Sequence, residues 1–228
     1  LAAVLLGPSM GAIVVTIVVV LQGLAFADGG LTALGYNVFN MAIVTSFGGW
    51  AVFKLSRKFL PKSSGGVVAA TGIAALVSVI LSAMSFSVMW LFGATAPIPF
   101  DTVFGSMVGI HVLIGVGEAV ISALAVAAVM ASRPDLVYGA QDLDAAQLSA
   151  PSKVPTRAFV AGGMVVALVF AVVVSQFAVD NPDGLEWVAE ETGFVDQGTD
   201  HALGDFIFAD YATAGVGNET LSLAIAGI

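Results

Sequence analysis

The chain has 228 residues, is 58% hydrophobic and only 10% charged, and carries a formal net charge of −9. Several segments exceed the roughly 20 apolar residues that a membrane-spanning helix needs, which excludes a soluble domain. The apolar runs are continuous rather than short and alternating, which excludes a membrane β-barrel. We therefore predict an all-α fold: a polytopic transmembrane helical bundle with an acidic extracytoplasmic loop in its C-terminal part.

Six membrane spans are predicted from the apolar runs. Pro8 lies at the start of the first span, where proline is tolerated, and Asp28-Gly29-Gly30 ends it as a turn. The last predicted helix starts near Leu221. Since residue 1 is Leu and both ends of the chain are apolar, we expect a fragment that lacks sequence at both ends. In chain order, the five complete spans cover residues 9–27, 35–53, 67–93, 102–132 and 158–179.

The distribution of charge predicts the orientation in the membrane. All seven Lys and Arg residues fall either after the second span or between the fourth and fifth spans, and short basic loops mark the cytoplasmic side. The turns at Asp28 and Asp101 are then outside, as is the segment 180–219, which holds ten of the sixteen acidic residues. The sequence thus predicts a multi-pass plasma-membrane protein of a prokaryote, in contact with the lipid bilayer and without a basic surface for nucleic acid.

Residues 133–157 have the composition of a linker between modules. They contain three prolines and scattered polar residues between long apolar runs. We predict a helical bundle in residues 1–132, a cytoplasmic linker in 133–157, and a second module in 158–228. That module consists of one helix, a large acidic outer loop and the start of a truncated helix.

The fourth span contains the only His and the only acidic residue that lie well inside a span. His111, Gly115, Glu118 and Ser122 are spaced i, i+4, i+7 and i+11, so they form one polar stripe along a helix. A charge at this depth is costly, so Glu118 should face the bundle interior, a wet cavity or a partner, or be protonated. The stripe is either a polar site on an ion path or a structural hydrogen-bonding group.

Small residues accompany this stripe. Gly105 and Gly109 form a GxxxG pair, and Gly115 and Gly117 add bare backbone to the same helix. Small residues allow a neighbouring helix to approach closely within a membrane. We therefore predict that the fourth span is a packing helix.

Amide side chains occur near the outer ends of the first two spans. Asn37 and Asn40 lie three residues apart, so they share a helical face. They either hydrogen-bond neighbouring helices or contact substrate, and Gln22 has the same two interpretations. Asp28 belongs first of all to a turn. The methionines Met84, Met89 and Met107 could contact a soft metal ion, but bundle packing is the preferred interpretation.

The outer acidic segment either forms a solvated surface or binds a hard cation with the help of His201. The spacing of its acidic residues does not follow the EF-hand pattern. We expect part of it to pack on the membrane surface or on the bundle, with Trp187 as an interfacial anchor. The large apolar residues on which this expectation depends are Leu185, Trp187, Phe194, Phe206 and Phe208.

Several stretches together resemble a known transporter family. "LLGPSMGAIVVTIVVVLQGLAFADGGLTALGYNVFNM" and "HVLIGVGE" resemble the CbiM/NikM family, the substrate-binding membrane components of energy-coupling-factor transporters for cobalt and nickel. "NPDGLEW" resembles the PDGLE segment that is fused behind CbiM in some members. On this resemblance, residues 1–132 are an N-terminally truncated CbiM-like bundle and 158–228 a PDGLE, or CbiN-like, module.

The resemblance implies uptake of Co²⁺ or Ni²⁺ as the transported substrate, with no permanently bound cofactor and no enzymatic activity. The partners implied are a transmembrane coupling protein and cytoplasmic ATPases, in keeping with a sequence that has no Walker A loop. The family's metal ligands are a Met-His motif and a loop His that we expect upstream of Leu1, so the primary metal ligands are unknown here. The candidates for the substrate path or for groups around the metal are Asn37, Asn40, His111 and Glu118.

Three other functions were compared with metal uptake. A binding component for a vitamin-type small molecule would need a more aromatic pocket with hydrogen-bond donors. An intramembrane hydrolase using His111 and Glu118 would lack the second His of HExxH and a GxSxG nucleophile. A purely structural or assembly role suits the second module better than the bundle.

Overall fold

The structure, a computed structural model, describes residues 1–144, 154–177, 182–198 and 201–227. Every regular element within these ranges is a helix and none is a strand, which confirms the all-α prediction. Five helices are long and apolar enough to cross a membrane, so the chain is a multi-pass membrane protein. These spans are Pro8–Ala25, Leu34–Arg57, Ser64–Gly93, Phe100–Ser132 and Thr156–Phe177.

The five spans overlap the five complete predicted ones. Residues 178–179, the end of the fifth predicted span, lie outside the described residues. The α-helices are α1 (Ala2–Leu6), α2 (Pro8–Ala25), α3 (Leu34–Asn37), α4 (Gly49–Arg57), α5 (Ser64–Gly93), α6 (Phe100–Ser132), α7 (Thr156–Val172), α8 (Gly184–Thr192) and α9 (Glu219–Ala226). Helix α9 begins close to the predicted start at Leu221.

The second span is not α-helical throughout. Residues Val38–Gly48, between α3 and α4, form a π-helical segment with i→i+5 hydrogen bonds. Within it, the Thr45 hydroxyl donates to the Met41 carbonyl at 2.5 Å, so a side chain adds a hydrogen bond of its own. A π-helix winds more widely than an α-helix, and the residues that share a face along this span therefore differ from those predicted by α-helical spacing.

The chain packs as two compact units, and each contains residues from both sides of the predicted linker. The first falls within Leu1–Thr16, Tyr36–Lys153 and Pro182–Gly198. The second falls within Ile17–Gly35, Val154–Asn181 and Thr199–Ile228.

Helices α5 and α6 pack against each other in the first unit, and one core of that unit lies where α5 begins and α6 ends. Val67 of α5 and Val126 of α6 are completely buried there. Neighbouring elements contribute Val4 of α1 and Phe53 of α4. The buried members of this first core are Val4, Phe53, Val67, Ala70, Ala74, Val126, Met130, Val137, Ala140 and Leu143.

A second core of the same unit involves the opposite ends of α5 and α6. Its buried residues are Ala83 of α5, Val103 and Met107 of α6, and Val188 of α8. Helix α8 therefore covers this part of the α5–α6 pair with its own apolar side. The partly buried residues that pack around it are Phe86, Trp90, Ile98, Ile110 and Phe194.

The close approach of α5 and α6 depends on Gly115. A Cβ atom on Gly115 would lie 3.1 Å from the Leu76 carbonyl oxygen, so the two backbones nearly touch there. This confirms the predicted packing role for Gly115. Apart from the adjacent residues and the backbone of the same helix turns, no heavy atom of the described part of the chain comes within 4 Å of a Cβ placed on Gly105, Gly109 or Gly117. The GxxxG pair thus makes no close helix contact within the described residues.

The described beginning of the predicted linker packs on the bundle. Two short 3₁₀ helices, Pro134–Leu136 and Tyr138–Ala140, follow α6. Val137 between them, Ala140 and Leu143 belong to the first core. Arg57 at the end of α4 forms an ion pair with Asp142 at 3.0 Å. The remainder of the predicted linker includes residues 145–153, which lie outside the described residues.

A second ion pair, between Arg133 and Asp135, lies directly after the end of α6. The Arg133 guanidinium donates to both carboxylate oxygens of Asp135, at 2.8 and 2.6 Å. These hydrogen bonds favour the ionised form and hold the pKa of Asp135 below its usual value.

In the second unit, α9 packs on α7. A Cβ on Gly227 would lie 2.5 Å from the Ala171 carbonyl oxygen, so only glycine permits this approach. The Gln176 amide donates to the Thr220 carbonyl at 3.3 Å, and the Thr213 hydroxyl donates to the Ser222 carbonyl at 2.9 Å. The first bond joins the residues that follow α7 to the start of α9, and the second joins the loop 201–218 to α9.

The glycine contact between α5 and α6 can be tested by changing its size. We expect Gly115→Leu to destabilise the protein by about 1–3 kcal/mol, because the added side chain meets the α5 backbone. Gly117→Leu is the matched control, since its site is open, and should unfold as the wild type does. Unfolding in detergent micelles, followed by circular dichroism, measures both. Equal stability of the two variants would contradict the assignment.

Candidate functional site

His111 lies beside the second core, and its surroundings determine which ring nitrogen carries a proton. The side chain is half-buried, and Nδ1 lies 2.7 Å from the Met107 carbonyl oxygen. Because a carbonyl oxygen only accepts hydrogen bonds, Nδ1 must donate, and in the neutral ring Nε2 then has the free lone pair. Metal-binding histidines are commonly oriented in this way. The geometry thus presents Nε2 as an acceptor or a nitrogen ligand.

The beginning of α8 packs on the His111 ring. A Cβ on Gly184 would lie 2.9 Å from His111 Cε1 and from Ile114 Cδ1, and 3.3 Å from His111 Nε2, so a side chain at this position would force these two side chains to shift. Asp183 precedes it as the N-cap, with Oδ1 accepting from the amides of Leu185 and Glu186, both at 2.8 Å. In "PDGLE", the aspartate therefore starts the helix and the glycine allows it to contact the histidine.

Helix α8 is also held by an aromatic contact. The rings of Trp90 in α5 and Phe194, just after α8, lie 4.8 Å apart between centroids and are tilted at 44°. Val188 is completely buried between them and α6 in the second core. The expectation that apolar residues of the acidic segment pack on the bundle is met by Phe194. Neither the burial of Val188 nor the Gly184 contact was predicted from the sequence, although a glycine directly after a capping Asp suggests close packing.

Asn40 is the other candidate in the bundle interior. It is 5% exposed, and its Nδ2 donates to Met89 Sδ of α5 at 3.5 Å. The backbone carbonyl oxygen of Asn40 accepts a hydrogen bond from the Ser82 hydroxyl at 3.1 Å. The side-chain oxygen, Oδ1, is buried and has no hydrogen-bond partner in the described part of the chain. Met89 adjoins Trp90 of the second core. Asn40 thus links the second span to α5 and keeps one buried acceptor available.

The remaining two candidates have different surroundings. Asn37 is half-buried at the start of the π-helical segment. Glu118 lies on an exposed part of α6, whereas Gly115 and Ser122 of the same predicted stripe are buried. The described residues therefore provide no interior position for the Glu118 carboxylate. No group of three His, Cys, Asp or Glu side chains among the described residues could hold a metal ion.

Fold and site together define a multi-pass helical membrane protein with a buried amide, Asn40, and a half-buried imidazole, His111, in its bundle. The family model "Cobalt uptake substrate-specific transmembrane region" matches residues 1–136, and the chain belongs to this CbiM family. The PDGLE domain model matches residues 157–228. No solved structure matches the chain.

Curated relatives bear transport names rather than enzyme names. The "Putative fused nickel transport protein NikMN" of Archaeoglobus fulgidus is 34% identical over 75% of this chain and 53% of its own length. The cobalt transport protein CbiM of Geobacter sulfurreducens is 30% identical over 70% and 45%. The fused nickel transport protein NikMN of Rhodobacter capsulatus is 33% identical over 60% and 43%. The chain thus spans about half the length of these relatives.

The contact between Gly184 and His111 predicts a coupled pair of substitutions. Gly184→Ala should destabilise the protein by about 1–3 kcal/mol, because its methyl group meets the imidazole ring. In a His111→Ala background the same change should cost less, because only the contact with Ile114 remains, and we expect a coupling energy of about 1 kcal/mol. Thermal unfolding of all four proteins in one detergent measures the cycle. Additive effects would show that the two residues do not touch.

Proposed function

We propose that this chain is the membrane component of a Co²⁺ or Ni²⁺ uptake transporter. In this proposal it binds the ion from outside, and a transmembrane coupling protein and cytoplasmic ATPases supply the energy. The observation that carries the proposal is the CbiM family match over residues 1–136, followed in the same chain by the PDGLE match. The names of the relatives support both metals, and we leave the choice between them to measurement.

We assign the residue ranges by the same reasoning. Residues 1–132 would be the CbiM-like bundle, 133–157 a cytoplasmic linker, and 158–228 the PDGLE module with its acidic outer loop. Ten of the sixteen acidic residues lie in 180–219, and a concentration of negative charge raises the local concentration of cations. This supports an outer side from which metal ions enter.

His111 and Asn40 are our candidates for polar groups along the metal path. Imidazole nitrogen suits both Co²⁺ and Ni²⁺, and the bond from Nδ1 to Met107 leaves Nε2 as the acceptor. Asn40 Oδ1 is a buried oxygen acceptor without a hydrogen-bond partner among the described residues. We propose that both groups orient the ion or its ligands rather than form the primary site. Asn37, half-buried at the start of the π-helical segment, is a further candidate.

Glu118 has a different proposed role. A carboxylate that faces lipid in the middle of a span costs about 2.5–3.5 kcal/mol on insertion scales. Glu118 is exposed on α6, so a protein that covers this part of the helix would remove that cost. We propose that Glu118 faces the transmembrane coupling protein.

Uptake by the full-length protein with its partners tests the metal path. We expect His111→Gln to reduce accumulation of Co²⁺ or Ni²⁺ at limiting metal by about tenfold, as for other groups that orient metal ligands. Val112→Ala, at an exposed neighbouring position, is the control and should transport normally. Cell-associated metal is measured by mass spectrometry. If wild-type cells accumulate neither metal above a control without the ATPases, the proposed function is wrong.

The role of Glu118 is tested by removing only its charge. Glu118→Gln preserves the size of the side chain, and we expect reduced copurification of the coupling protein together with reduced uptake. His111→Gln should leave copurification unchanged, since His111 contacts α8 within the chain. If Glu118→Gln alters neither assembly nor uptake, Glu118 belongs neither to the interface nor to the metal path.

A further inference from the structure

A contact in the second unit joins the turn after α2 to the loop before α9. The Tyr211 hydroxyl donates to Asp28 Oδ2 at 2.6 Å. The Gln22 amide donates to the Tyr211 hydroxyl oxygen at 3.0 Å and reaches Asp28 Oδ2 at 3.4 Å. The Asp28 carboxylate therefore accepts hydrogen bonds from two neutral donors that lie 183 and 6 residues away in sequence.

Ring stacking and a backbone hydrogen bond accompany this polar contact. The rings of Tyr211 and Phe26 lie 4.7 Å apart at 14°, which is a stacked arrangement. The ring of Phe208 lies 6.3 Å from that of Phe26 and is tilted at 36°. The Asp210 amide donates to the Phe26 carbonyl at 2.9 Å. Side chains and backbone thus hold the two segments in one register.

The backbone is strained on both sides of this contact. Among the described residues, the non-glycine residues with positive φ are Ala27 at 56°, Asp210 at 53° and Tyr211 at 57°. A left-handed conformation is costly for a residue with a side chain and persists only where the surroundings enforce it. All three lie in the two segments that meet here, so the contact must offset the strain from both sides.

The chemistry of the pair favours a hydrogen bond from a neutral phenol to a charged carboxylate. Burial and the Asp28 carboxylate raise the pKa of Tyr211 to about 12, so the phenol retains its proton at neutral pH. A protonated phenol donates to a carboxylate and does not repel it. Asp28 thereby serves as an acceptor for the loop.

We propose that this contact is the docking site by which the PDGLE region recognises the first membrane span of the CbiM region. Tyr211 is the residue that determines the recognition: its ring fits Phe26 and its hydroxyl fits Asp28. A loop with phenylalanine at this position would retain the stacking but lose the bond to the carboxylate. This inference does not depend on the transported substrate.

Hydrogen exchange of the purified full-length chain tests the docking. Tyr211→Phe should accelerate amide exchange in peptides covering 26–30 and 207–216 by about tenfold, because a hydrogen bond to a charged acceptor is lost. Tyr36→Phe, at an exposed tyrosine elsewhere, is the matched control and should exchange as the wild type does. Exchange within twofold of the wild type in both peptides of Tyr211→Phe would overturn the proposal.

A second comparison shows whether the two residues act as one pair. Asp28→Ala should accelerate exchange in the same two peptides. Adding Tyr211→Phe to that variant should cause little further change, since the bond is already broken. Independent, multiplicative acceleration by the two substitutions would also overturn the proposal.

Discussion

The packing of α5 on α6 is the interaction on which the rest of the structure depends. Within a membrane, lipid is as apolar as the helices, so helices associate through close packing rather than through the hydrophobic effect. Gly115 lets α6 approach the backbone of α5 near Leu76. A buried core lies toward each end of the pair. The candidate polar groups depend on this pair: His111 belongs to α6, and Asn40 hydrogen-bonds Met89 and Ser82 of α5.

The family regions and the compact units do not coincide in this chain. Helix α8 belongs to the PDGLE region but packs with α5 and α6, and the end of α2 belongs to the CbiM region but lies in the unit of α7 and α9. Each region therefore completes a unit with the other. The PDGLE motif has a structural role in the first unit. Its aspartate caps the start of α8, and its glycine packs against His111.

The sequence predicted the spans well because a continuous apolar run of more than about 20 residues has few other structures available. It also predicted the contact at Gly115, since a small residue on a polar stripe indicates packing. It did not predict that Glu118 would be exposed while Gly115 and Ser122 are buried. At 3.6 residues per turn, Gly115 and Ser122 lie within about 20° of each other around α6, whereas Glu118 is offset from them by roughly 40–60°, so the neighbouring helix covers the first two and not the third.

Contacts between residues far apart in sequence cannot be predicted from apolar runs and helical spacing. Asp28 reads as a turn residue in the sequence, and its pairing with Tyr211 connects positions 183 residues apart. The π-helical segment around Asn40 was also missed, because its residues are compatible with an α-helix. Local propensity predicted a turn at Asp28 and a helix around Asn40. It could not specify the partner of Asp28 or the π-helical form of the second span.

The lengths of α5 and α6, 30 and 33 residues, have a further consequence. At 1.5 Å per residue these helices measure about 45 and 50 Å, whereas the hydrocarbon layer is about 30 Å thick. Even at a tilt of about 40°, near the upper end for membrane helices, a span uses only about 26 residues. About two turns of α6 must therefore project beyond the hydrocarbon. Lipid chain length then sets how much of the pair is immersed, so a change in bilayer thickness shifts the boundary between the lipid-covered and the projecting parts of α6.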